Sequence, residues 1–324
     1  MTDDPRQPPQ HQPTGPAHGH GSSSQGQPNI PAGWPKRGQR YGQPQGIPSH
    51  PNAVGLAPQG SIPPGSIPPG WPGRRPQDRI VLDPGKPTWM DLVTVLAYLL
   101  IFILGGAVLV TLIPGFREQF TEPDGTLNEG SFTFSINLIS YSLLTVLALI
   151  ACWKPFIASF RTFKQYGWLK IGLIPVIWFA CIMVNALVVM AAGQPIKSAN
   201  QLAIEEMTTQ VAFLPMLLVT VFMAPFVEEY IFRHLMIGKL SRWINVWVCV
   251  VISMVLFALI HFLSTGFNFD PVQVIPYLTL AAAITVAYVL TGKSLAYATI
   301  LHVFNNLVSI IVAYTLLPLL PEGM

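Results

Sequence analysis

Two adjacent glutamates, Glu228 and Glu229, stand inside an apolar run, in the stretch PFVEEYIFR. An ionised carboxylate within a bilayer costs about 2.5–3.5 kcal/mol on insertion scales, so intramembrane carboxylates are functional by default. The structural alternative is a polar clamp between helices. Seven histidines divide into two groups. His11, His18, His20 and His50 lie in a proline-rich N-terminal region, whereas His234, His261 and His302 lie in or beside apolar runs. His261 closes FALIH, and His302 opens LHVFNN together with Asn306. One intramembrane imidazole is an ordinary helix–helix hydrogen bonder. Two of them beside two glutamates are the residue types of proton transfer and of zinc binding. Asp91, at the polar start of an earlier run, is no rival.

Spacing turns these residues into faces. Glu229 and Arg233 are i and i+4 on a helix and can pair. Glu228 is rotated by about 100° and stays free for chemistry. His302 and Asn306 share one stripe, as do Phe257 and His261, which lets Phe257 pack on the imidazole. The fourth and fifth runs read as an antiparallel hairpin turning at Ser241–Asn245. Glu228 lies 17 positions before Asn245 and His261 lies 16 after it. At 1.5 Å per residue both arms climb about 25 Å and should bring the two side chains to one depth. His302 climbs only about 12 Å from the loop at Thr291–Ser294. The layers match only if the first hairpin projects or the helices tilt.

The elements that must position these groups follow from composition. Of 324 residues, 51% are hydrophobic and only 10% charged, against about 25% charged in soluble domains. Net charge is +3, and no aromatic platform accompanies the basic residues, so nucleic acid is not an expected partner. Cys152, Cys181 and Cys249 form no CxxC and read as apolar packing residues. Residues 1–86 are rich in Pro, Gly, Gln and Ser, with GSIPPG twice in tandem, and read as a disordered tail. Seven apolar runs follow: Leu92–Ile113, Phe134–Trp153, Leu169–Ala192, Val211–Leu240, Val246–Leu263, Pro271–Leu290 and Leu295–Leu317. The expectation is an all-α, polytopic helical membrane bundle of about seven spans. Lys154, Arg161, Lys164 and Lys170 lie between runs two and three, and acids lie between runs one and two. The tail and the basic loop should therefore share the cytoplasmic side. The chain is expected to be a multi-pass protein of the lipid bilayer, of the plasma membrane if bacterial.

At these residues the chain resembles the CAAX protease and bacteriocin-processing family, also called CPBP or Abi intramembrane proteases. The family pattern is EExxxR, FxxxH, and HxxxN or HxxxD. Here it stands as Glu228-Glu229-xxx-Arg233, Phe257-xxx-His261 and His302-xxx-Asn306. The resemblance covers about residues 211–311 within a membrane domain of 87–324. It implies a glutamate-dependent intramembrane endopeptidase acting on membrane-associated peptides or proteins. Carried over, Glu228 and His261 activate water, His302 and Asn306 stabilise the oxyanion, and Glu229, Arg233 and Phe257 support them. Removal from water suits a carboxylate to base chemistry, and donors aimed at an oxyanion supply about 3–4 kcal/mol. Glu228, His261 and His302 could also hold zinc with an open position. HExxH is absent, however, and metal-independent water activation is preferred. The alternatives are a scaffold or immunity protein that lost catalysis, and an ion-coupled transporter, whose internal repeats are not seen.

Overall fold

The computed structural model describes residues 80–193, 198–263 and 271–319, all within the unit Pro72–Met324. The expectation of disorder for residues 1–79 lies outside the described residues. The described chain is all-α. Helix α1 begins at Trp89, where Thr88 and Asp91 close a capping box: the Thr88 amide donates to Asp91 Oδ2 at 2.6 Å. It continues to Ile103 and then bends by 72° into the short helix Gly106–Leu112. The cause is the Gly105-Gly106 pair. Gly105 has a φ of +70°, and a Cβ on Gly106 would lie 2.6 Å from the Leu100 carbonyl oxygen. The first apolar run, read as one span, is therefore broken.

Among the described residues seven longer helices follow: α2 Glu129–Ser159, α3 Gly167–Ala192, α4 Ala199–Gln210, α5 Phe213–Arg242, α6 Val246–Ile260, α7 Ile275–Leu290 and α8 Leu295–Thr315. Asn128, Ser198, Asn245 and Ser294 accept from backbone amides at the starts of α2, α4, α6 and α8, satisfying donors that helix geometry leaves open. Among the described residues five helices are long and apolar enough to cross a membrane, or six with the bent pair. Helix α6 has only 15 residues, which at 1.5 Å each falls short of a hydrocarbon core of about 30 Å. The count of about seven is thus approximate. Helix α4 was not expected; it is polar and packs on α2.

Helix α5 is the axis. Of its most apolar window 56% is buried, against 11% for α3, which faces outward. Helices α2, α6 and α8 surround α5, while α7 joins α3, α6 and α8. One end of the bundle gathers four segments. The Leu82 amide donates to Gly292 O, Arg242 pairs with Asp83 at 2.9 Å, Lys293 Nζ donates to Ser241 Oγ, and Thr162 Oγ1 donates to Ser294 Oγ. Residues 80–86, grouped by composition with the tail, run across this end as an ordered strap. At the other end Gln210 accepts from the amide of Gly130, and Tyr314 donates to Val211 O.

The strap depends on Gly292, whose φ is +78° and whose absent Cβ would lie 2.0 Å from Ile80 O. Gly292→Ala should therefore lift the strap while leaving the transmembrane core folded. Hydrogen exchange at the Leu82 amide checks this: its protection should fall by about tenfold or more, with far-UV helicity unchanged. Removing residues 1–79 should leave the strap in place.

Candidate active site

Helix α5 is not uniformly wound. Residues Leu217–Met223 and Tyr230–Lys239 are π-helical, and Ala224–Glu229 between them is α-helical. Pro225 accounts for the first transition. Proline has no amide hydrogen, and its ring crowds the carbonyl one turn back, so a widened turn ahead of it relieves the clash. In i→i+5 winding the amide of residue 225 would serve the Thr220 carbonyl. Asn306 supplies the missing donor, with Nδ2 to Thr220 O at 2.8 Å. Asn306 Oδ1 accepts from Asn305 Nδ2 at 3.0 Å. Asn306 is thus a strut between α8 and α5 that keeps one further N–H for other use.

The short α-helical stretch presents the two glutamates to different partners. Glu229 is fully buried. Its Oε1 accepts from Arg233 Nη1 at 3.0 Å and from His302 Nδ1 at 2.8 Å. Arg233 is also fully buried; its second nitrogen donates to Ala281 O at 3.3 Å, and its guanidinium lies 4.3 Å from the centre of the Phe257 ring. Such a cation–π contact strengthens when water is excluded. Glu228 Oε1 accepts from Tyr141 Oη at 3.2 Å, and Glu228 Oε2 lies 3.8 Å from His302 Nε2. The last distance exceeds a hydrogen bond. The carboxylate therefore faces an imidazole across a gap.

The tautomers follow from the partners. A carboxylate oxygen can only accept, so Nδ1 of His302 carries the proton and Nε2 offers its lone pair to the Glu228 side when the ring is neutral. His261 is set the same way, because its Nδ1 lies 2.8 Å from the carbonyl oxygen of Phe257. The His261 ring stacks on Tyr277 at 4.3 Å. Tyr277 Oη lies 2.6 Å from Ser198 Oγ, the cap of α4. Phe257 stands between the imidazoles, 5.3 Å from His261 and 5.7 Å from His302, centre to centre.

The structure gathers Glu228, Glu229, Arg233, Phe257 and His302 into one cluster, with Asn306 one turn beyond His302. It does not join His261 to Glu228 directly: among the described residues no hydrogen bond or ion pair links them, and the connection runs through Phe257 and His302. Equal helix lengths would set the two at one depth, but π-winding alters the rotation and rise of α5, and His261 lies just past the end of α6. Nor do Glu228, His261 and His302 converge on one point. Among the described residues no three His, Cys, Asp or Glu side chains are grouped to hold a metal ion. The zinc set is therefore not assembled here, and no step below is routed through it.

Two features escaped the sequence. Tyr141 on α2 is a direct partner of Glu228, yet a tyrosine in an apolar run carries no signal of its own. Asp91, set aside above, is buried, with Lys239 Nζ at 2.7 Å and Tyr230 Oη at 2.5 Å. This second polar cluster ties α1 to α5, away from the glutamate pair.

Residues 210–308 match the family model described as type II CAAX prenyl endopeptidase Rce1-like. That segment is similar to the CAAX protease family. No curated protein and no solved structure matches the chain. The matched segment runs from the end of α4 into α8 and carries Glu228, Glu229, Arg233, Phe257, His261, His302 and Asn306. Tyr141 and Asp91 come from outside it. The match to a membrane protease family and the apolar helices together support an integral membrane protein.

Tyr141→Phe isolates the partner that the family segment does not supply. Loss of a hydrogen bond to a charged group should lower kcat by about tenfold, with KM and Tm unchanged. Steady-state kinetics beside a thermal melt in detergent check this.

Proposed function

We propose that the protein is an intramembrane endopeptidase that hydrolyses peptide bonds of membrane-associated proteins or peptides through a water activated by Glu228. The observation that carries this reading is the 3.8 Å approach of Glu228 Oε2 and His302 Nε2, with Glu229 holding the far side of the imidazole. A water lodged between those two atoms can hydrogen-bond to both. Glu228 takes its proton as the oxygen attacks the scissile carbonyl. The electron pair of the C=O bond moves onto oxygen, then returns to expel the amine, which receives the proton from Glu228. Neutral His302 accepts the water's second hydrogen at its Nε2 lone pair and holds the oxygen for attack. The free N–H of Asn306 is a donor for the oxyanion. Glu229 and Arg233 orient His302, much as a carboxylate orients the histidine of a hydrolase triad.

The matched description names prenyl endopeptidases, which makes peptides with a prenylated cysteine near the C-terminus the first substrates to try. The test is incubation of purified protein with labelled peptides, prenylated and plain, with and without chelator, and mass spectrometry of the products. Cleavage at one internal bond is expected. Failure to cut any membrane-associated peptide, prenylated or not, would remove the proposal.

A further inference from the structure

Away from the glutamate pair, at the end crossed by the strap, the chain forms a cleft of about 500 Å³ whose lining includes Asp83, Arg161, Lys164, His234 and Lys293. Arg161 and Lys164 are exposed at the turn after α2, and Lys293 sits in the α7–α8 loop. Charge around the cleft is one-sided. Its nearby acids are already taken: Asp91 pairs with Lys239, and Asp83 pairs with Arg242. Arg161, Lys164 and Lys293 form no ion pair among the described residues. Burial lowers the pKa of Lys293, against the attraction of Asp83.

A second observation is independent of charge count. His234 lines the cleft, is 3% exposed, and its Nε2 has no hydrogen-bond partner among the described residues. Buried polar atoms are nearly always satisfied, so an unsatisfied imidazole nitrogen beside three cations without ion pairs points to an absent polar partner. The depth of the cleft narrows the source of that partner. Trp89, Trp153, Tyr166, Trp168, Trp243 and Trp247 are all exposed around the same end, the pattern of an aromatic belt at headgroup level. Apart from Ser159, the rest of the lining, including Ile80, Val81 and Leu295, is apolar.

We propose that this cleft binds the phosphate ester of an anionic phospholipid headgroup, with Arg161, Lys164 and Lys293 facing the phosphate and His234 as its buried polar partner. A zwitterionic lipid brings its own cation and leaves the three protein charges unanswered. Free phosphate shares the chemistry but lacks the apolar contact with the strap, and the belt holds lipid at the cleft in high local concentration.

The experiment titrates purified protein in neutral detergent with short-chain phosphatidylglycerol, short-chain phosphatidylcholine and inorganic phosphate. The same titrations are made on the double variant Arg161→Gln, Lys164→Gln and on a control, Lys86→Gln. Phosphatidylglycerol should bind at least about tenfold tighter than phosphatidylcholine, and the double variant should lose that preference by a similar factor. The control should keep it. Binding of inorganic phosphate as tight as that of phosphatidylglycerol, with the same dependence on Arg161 and Lys164, would uphold the phosphate chemistry and assign the site to the soluble ion. Equal affinity for the two lipids, or an unchanged double variant, would overturn the proposal. Both exchanged residues are exposed and remote from Glu228, so cleavage of a soluble peptide in neutral detergent should be unaffected, which separates this outcome from any failure of the protease reading.

Discussion

Glu228→Gln should abolish proteolysis, by about 10²–10⁴-fold for a lost general base, while the protein inserts and melts as wild type or slightly above it. The stability half of this expectation comes from the contacts. Glu228 has one long bond from Tyr141 at 3.2 Å and faces His302 at 3.8 Å, so no tight ion pair is broken. Glutamine keeps the shape and an oxygen for Tyr141, and it removes a charge that low dielectric disfavours. The measurement is turnover of a confirmed substrate beside a thermal melt in the same detergent. Turnover within threefold of wild type would end the assignment of Glu228 as base.

Glu229→Ala should show the opposite division. Oε1 of Glu229 accepts from both Arg233 and His302, so its loss strands a fully buried guanidinium. Breaking a buried pair from one side costs about 3–5 kcal/mol, a large share of a typical folding free energy. The variant should therefore melt well below wild type, and the folded fraction should be slow because His302 has lost the group that fixes its tautomer. Glu229→Gln should fall between the two, since an amide oxygen can still accept one of the two bonds. A Glu229→Ala protein that melts like wild type and is nonetheless inactive would make Glu229 a direct participant in the chemistry. The pair of experiments separates two neighbouring carboxylates by what each one touches.

Much of the site was legible in the residues themselves. Two glutamates in an apolar run are costly enough to demand a reason, and helical spacing alone paired Glu229 with Arg233 and placed Phe257 against His261. The membrane bundle followed from composition and run length, because lipid leaves backbone groups no partners outside the helix. Local order and hydropathy act over a few turns, and both are written directly in the sequence.

What only the tertiary structure decided are contacts between helices distant in sequence. Tyr141 meets Glu228 across 87 positions and His302 meets Glu229 across 73. Which imidazole faces Glu228 depended on the rotation of α5, which its π-wound segments alter beyond what 3.6-residue spacing can foresee. The burial of Asp91 depended on Lys239, 148 positions away. The break at Gly105 and the docking of the strap on Gly292 turned on backbone conformations that glycine permits but does not impose. Sequence periodicity specified the faces of these helices, and packing chose which faces met, because close approach, rotation and hydrogen-bond satisfaction are properties of pairs of elements and not of one.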